Sequence, residues 1–126
     1  MSVQETLYHR LGGYDAIAAV VENLITRLRN DAILGRFWAH RGEDGIAREK
    51  QLLIDYLCAN AGASLLYTGR DNKTSHHGMA ISDKDWQIFI LHLDDTLSFF
   101  QLPDREKKEV LTFIESTKND IVEISG

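Results

Sequence analysis

One proline and one cysteine stand among 126 residues, and each scarcity closes off a class of protein. A single cysteine, Cys58, permits no intrachain disulfide, so a cross-linked secreted scaffold is excluded and a reducing, cytoplasmic setting is expected. Long apolar runs are missing too. None approaches the roughly 20 residues that cross a bilayer, and the stretch from Met1 to Gly12 carries Glu5, His9 and Arg10 where an export signal needs apolar residues. A soluble, non-exported protein is expected. Basic residues are outnumbered, 14 against 19 acidic for a formal net charge of −5, so no general basic surface attracts nucleic acid or an anionic membrane. Neither is expected as a partner. The generic catalytic patterns are absent as well: there is no phosphate-binding glycine loop, no nucleophile elbow, no cysteine pair and no His-Glu-x-x-His zinc pair.

What is present is helical periodicity. Between Asp15 and Asn30 the apolar residues fall at Ile17, Val20, Val21, Leu24, Ile25 and Leu28, steps of three and four that predict an amphipathic helix with Glu22, Asn23 and Arg27 on its wet side. A shorter helix precedes it. Ser2 and Glu5 have capping-box spacing, and Leu11-Gly12-Gly13 makes a corner between the two. Asp31 suits the cap of a brief turn from Ala32 to Trp38, and His40 to Gly45 reads as a polar loop. A third long helix is predicted from Asp44 to Asn60, with Leu53, Tyr56 and Leu57 as its apolar face and Leu52 beside it. Ser82 and Asp85 mark another capped start, followed by Trp86, Phe89, Ile90, Leu93, Leu97 and Phe100 at helical spacing. Pro103 suits the first turn of a last helix, whose stripe is Val110, Leu111, Ile114 and Ile121 and whose Glu106, Lys107 and Lys108 face water. The predicted class is all-α, one domain over residues 1–126.

Ala61 to Ser82 is the irregular stretch; such segments in compact domains usually carry function or are disordered, and Leu65, Leu66, Tyr67, Met79 and Ile81 argue against disorder. It holds His76-His77, followed by Gly78-Met79-Ala80-Ile81. A histidine beside a glycine and large apolar residues can present a neutral imidazole to a metal in a dry slot. A surface pair in a loop is the alternative.

The run Tyr67-Thr68-Gly69-Arg70-Asp71-x-Lys73-Thr74-x-His76-x-Gly78-Met79-x-Ile81-Ser82 resembles the segment that carries the proximal haem ligand in the group I truncated haemoglobins. The resemblance extends over nearly the whole chain. Leu7-Tyr8-x-x-Leu11-Gly12-Gly13 is similar to that family's glycine corner, and Phe37-Trp38 falls where the family packs aromatics on haem. Cys58-Ala59-x-x-Gly62 to Tyr67, and Arg105-Glu106-Lys107-Lys108-Glu109-Val110-Leu111, are similar to one subgroup.

The resemblance implies a two-over-two α-helical sandwich around one haem b, with His76 as the iron ligand and His77 as its competitor. A solvent-facing or propionate-side place is the other reading of His77. Phe37, Trp38, Leu53, Tyr67, Met79, Ile81, Trp86 and Phe89 are implied as haem contacts, although Tyr67, Met79, Ile81 and Trp86 are equally ordinary core positions. Arg70 and Lys73 are implied partners of the propionates, or else solvated loop charges. On the distal side the sequence departs from the family, because Ile25, preceded by Leu24, stands where many members have an oxygen-binding tyrosine. The assisting glutamine depends on register: an ungapped alignment puts Leu53 there with Glu49 one turn earlier, whereas a gapped one puts Gln51 there. The ungapped register is preferred. His40 and Lys50 are candidates for an endogenous sixth ligand, and Cys58 reads as a buried helix residue.

The implied function is reversible binding of dioxygen, carbon monoxide or nitric oxide at ferrous iron, as in an oxygen-transport protein. The alternatives are a nitric oxide dioxygenase served by an external reductase, a haem-based gas sensor, and a helical interaction domain without cofactor. A monomer or weak homodimer is expected. Since part of the core would then be haem, the apoprotein should be the less stable form.

Overall fold

Thr6 begins the first helix of the computed structural model, which describes residues 6–39, 41–62, 73 and 76–124. Its hydroxyl accepts the His9 N–H at 3.2 Å ahead of α1 (Leu7–Leu11). Ser2 and Glu5, the expected capping pair, lie outside the described residues. At the corner Gly12 has φ +105, and a Cβ there would sit 2.9 Å from the Ala16 Cβ. Both facts require glycine. The next helix, α2 (Gly13–Asn30), buries Ile17, Val21, Leu24, Ile25 and Leu28, each contributing about 1.5–3 kcal/mol on leaving water. Asp31 then ends one element and starts another: its Oδ1 accepts the N–H groups of Ile33 and Leu34 at 2.8 and 2.9 Å, opening a short 3-10 helix over Leu34–Trp38.

Helix α3 (Glu43–Asn60) buries Ile46, Ile54 and Cys58, with Leu53 and Leu57 half-buried against the same core. The expected face of Leu53, Tyr56 and Leu57 is therefore rotated. Leu52 to Leu57 offers two adjacent apolar stripes, and contact with α2 selects the one through Ile54 and Cys58. Helix α4 (Asp83–Phe99) has the expected capping box, in which the Ser82 hydroxyl accepts from the Asp85 N–H at 3.1 Å and the Asp85 carboxylate from the Ser82 N–H at 3.0 Å. It stops one residue short of the predicted stripe, with Phe100 as its cap.

Three expectations about the last helix change. Pro103 precedes α5 (Asp104–Glu115) as its cap. Ile121 lies on a separate short helix, α6 (Lys118–Ile121), because the chain turns at Thr117, whose hydroxyl donates to the Ile114 carbonyl at 2.7 Å. Glu106 does not face water but is buried. Arg10 of α1 reaches across to it at 2.9 Å and to Glu109 at 2.7 Å, holding the Glu106 carboxyl below its ordinary pKa.

Helix α2 packs on α3 and on α4, and α4 packs on α5, so two helix pairs are layered through α2. Val21, Cys58, Thr96 and Leu97 lie fully buried where the layers meet. After α6 the chain returns beside the start of α4. The N–H groups of Glu123 and Ile124 donate to the Ile81 carbonyl at 2.8 and 3.2 Å, and the Asp83 N–H donates to the Ile124 carbonyl at 3.0 Å. This strap includes an isolated parallel bridge between Ser82 and Ile124. No strand occurs among the described residues, and none of their helices is long and apolar enough to cross a membrane.

Candidate functional site

The 3-10 helix carries Phe37 and Trp38, half-buried, with ring centroids 6.4 Å apart in an edge-on arrangement. Arg36 fixes this helix to α4. Its Nη2 lies 2.7 Å from Asp85 Oδ2, and its guanidinium lies over the Phe37 ring at 4.2 Å from the centroid. Burial pushes the Asp85 carboxyl up, but the Arg36 guanidinium and the Ser82 N–H and hydroxyl outweigh it, and the net shift is downward. A second tie joins the same two elements: His92 Nε2 is 2.7 Å from Asp31 Oδ2. The hydrogen bond from His92, with those from the Leu34 and Ile33 amides, lowers the Asp31 carboxyl to about 2.

On α2, Leu24 and Ile25 are buried in the core cluster, and Leu53 and Phe89 pack against it. Polar neighbours on α3 turn outward. Gln51 is exposed, its amide donating to the Tyr14 hydroxyl at 2.7 Å and to Asp55 at 3.0 Å. Glu49 is paired with Arg41 at 2.7 Å, and Lys50 with Glu22 at 2.9 Å. Of the two registers, then, Leu53 is the residue against the core and Gln51 the residue in solvent.

His76 is helical and half-buried, and its carbonyl accepts the Met79 N–H at 3.2 Å. His77 points to solvent, its side chain 83% exposed and 3.5 Å from Glu123. Met79 is half-buried and Ile81 buried. Trp86 follows in the first turn of α4, 3% exposed; its ring centroid is 5.3 Å from that of Phe89 and its indole N–H donates to Glu115 at 3.1 Å. Lys73 is exposed, and Tyr67, Arg70 and His40 lie outside the described residues.

No three His, Cys, Asp or Glu side chains come together among the described residues to hold a bare metal ion. A lone imidazole such as that of His76 would suit a metal already held by a prosthetic group. Haem fits that requirement.

The sequence matches the bacterial-like globin family over residues 6–123. The chain belongs to the truncated haemoglobins. This truncated haemoglobin is 29% identical over 106 residues to a group 1 truncated haemoglobin of Mycolicibacterium paratuberculosis, covering 84% of this chain and 76% of that one. It is 25% identical over 122 residues to the group 1 protein of Tetrahymena pyriformis, covering 97% and 98%. The ferric crystal structure of the Tetrahymena pyriformis protein superposes with a TM-score of 0.84 at 24% identity, over 94% and 98% of the two chains. A group II truncated haemoglobin from Bacillus anthracis superposes at 0.85 with 14% identity, over 99% and 96%. The fold is the two-over-two globin sandwich, and the truncated haemoglobin is a haem-binding protein.

Sequence reasoning missed the residues that frame the site. Glu123, Arg36 and the Asp31–His92 pair are ordinary polar residues in their local context, and their partners are 45, 49 and 61 positions away. An apolar cavity of about 110 Å³ lies elsewhere, between α1, α2 and the ends of α3, α4 and α5. None of the predicted site residues lines it.

Proposed function

We propose that this truncated haemoglobin holds one haem b through His76 and takes up dioxygen, carbon monoxide or nitric oxide reversibly in the cytoplasm, with an external reductant keeping the iron ferrous. A haem bound there would supply a redox-active iron able to take up a diatomic gas. The chain supplies the rest. His76 must bind as a neutral imidazole, one ring nitrogen to the iron and the other carrying the proton. Phe37, Trp38, Leu53, Tyr67, Met79, Ile81, Trp86 and Phe89 would offer the haem apolar surface and exclude water, and Arg70 and Lys73 would pair with its propionates.

What carries this reading is the pairing of truncated haemoglobin membership with the half-buried His76 at the head of the stretch that leads to the buried Ile81 and Trp86. The absorption spectrum of the wild type beside His76→Ala tests it. Loss of the five-coordinate ferrous spectrum in the variant is expected. A normal spectrum there would remove His76 as the ligand.

The distal side is read as a wall of Leu24, Ile25 and Leu53. These side chains offer no hydrogen-bond donor, while the polar side chains of Glu49, Lys50 and Gln51 are engaged with Arg41, Glu22, Tyr14 and Asp55. A polar ligand gains nothing there beyond its bond to iron, so discrimination in favour of dioxygen over carbon monoxide is weak.

A further inference from the structure

The C-terminal strap takes no part in the function proposed above, yet it meets the chain directly after His76. Gly78 and Ala80 both adopt left-handed backbone, φ +81 and +56. Their N–H groups converge on one carboxylate: the Gly78 N–H donates to Glu123 Oε2 at 3.1 Å and the Ala80 N–H to Glu123 Oε1 at 2.9 Å. The two amides flank Met79, whose own N–H turns to the His76 carbonyl at 3.2 Å, and together they make a two-donor anion site of the kind left-handed backbone creates. Here the anion is a side chain of the same molecule, brought from the end of the fold.

Three features make this a clamp rather than a casual contact. Glycine accepts a positive φ freely, but alanine does so only where the surroundings hold it. Glu123 is itself fixed, because its own N–H and that of Ile124 donate to the Ile81 carbonyl and the Asp83 N–H donates to the Ile124 carbonyl. The amides of Gly78 and Ala80 also hold its carboxyl in the charged form. The stretch from His76 to the capping box at Ser82 is thereby tied to the C-terminal strap at both of its unusual residues.

We propose that Glu123 is a positioning residue for His76: its carboxylate sets the backbone course on which the imidazole is presented to the haem iron. This rests on His76 being the iron ligand. An imidazole's orientation follows the backbone that bears it, so releasing Gly78 and Ala80 spreads that orientation and weakens the hold on haem without altering any side chain at the iron.

Resonance Raman spectroscopy of the ferrous, ligand-free protein reads the iron–histidine stretch, and haem transfer to an apoglobin scavenger reads retention. In Glu123→Ala the band broadens and shifts, and haem loss accelerates about tenfold, the scale of one charge-assisted hydrogen bond. Glu123→Gln, whose amide oxygen still accepts one N–H, gives an intermediate result. Lys118→Met breaks the 3.2 Å pair between α6 and Asp83, just ahead of the strap, without touching the clamp, and leaves the band in place. A wild-type band and haem-loss rate in Glu123→Ala overturn the proposal, as does an equal shift in Lys118→Met, which would make the strap a general support. Should Glu123→Ala not fold, Glu123→Gln decides, and an unshifted band there overturns it. His76→Ala separates the two levels. If it keeps the band, the ligand assignment has failed; if it loses the band while Glu123→Ala keeps it, only the role of Glu123 has.

Discussion

Arg36 Nη2 stands 2.7 Å from Asp85 Oδ2, and this contact joins the short helix bearing Phe37 and Trp38 to the first turn of the helix bearing Trp86 and Phe89. The two aromatic pairs proposed for the haem are thus tied to one another, with the Asp31–His92 contact as a second tie. Arg36→Met keeps an apolar stem near Phe37 and removes the pair. With Arg36 half exposed, the stability loss should be about 1 kcal/mol, read from urea denaturation of the haem-loaded protein. A broader Soret band should accompany it. An unchanged midpoint and band would mean the two elements are held by packing alone.

Acid should loosen the neighbouring tie between Asp31 and His92. The Asp31 carboxyl is lowered to about 2 in the folded protein from about 3.9 in an unfolded chain. A depressed carboxylate pKa contributes stability that is fully present above the unfolded value, and that is lost as the pH falls through the folded value. The contribution is therefore constant at neutral pH and fades between about pH 4 and pH 2. Asp31→Asn still accepts from the Ile33 and Leu34 amides but carries no charge. Its urea midpoint should lie below the wild type's at pH 7 and converge with it toward pH 2. Parallel curves over that range would discard the charge as the cause.

Ligand release tests the apolar distal wall. Ile25→Tyr introduces a hydroxyl beside Leu24, and a new charge-assisted hydrogen bond to dioxygen should slow its release about tenfold to a hundredfold. Carbon monoxide release should change much less. Stopped-flow ligand replacement gives both rates. Slow dioxygen release already in the wild type would show that a polar group reaches the ligand.

Cys58 should be chemically silent until the protein unfolds. It is fully buried, and burial, with Asp55 nearby, pushes its thiol pKa up, so little thiolate is available to react. Ellman's reagent should consume the thiol only as fast as the protein opens. Cys58→Ser puts a hydroxyl in the apolar site and should destabilise by about 1–3 kcal/mol. Rapid labelling of the folded protein would contradict this.

Haem removal should lower the thermal midpoint. A ligand present at a thousand times its dissociation constant stabilises by about 4 kcal/mol, and haem in a globin-type site acts through the same linkage. Differential scanning calorimetry of the two forms measures the difference. Equal midpoints would mean the core is complete without it.

Local chemistry was legible in the sequence by itself. The helices follow from apolar steps of three and four, and the caps at Asp31 and at Ser82 with Asp85 follow from side chains that reach only two or three residues along the chain. The glycine corner at Gly12 and the burial of Cys58 belong to the same class, since each depends on neighbours a few residues away. Tertiary structure decided what periodicity leaves open. It turned the face of α3 toward Ile54 and Cys58, buried Glu106 by bringing Arg10 to it from 96 residues away, and set Gln51 in solvent while Leu53 met the core. It also carried the Glu123 carboxylate 45 residues back to the amide of Gly78. A charged side chain reads as solvated wherever its partner is remote, because nothing in local spacing encodes which remote group will neutralise it; only the folding of the helix layers brings the two together.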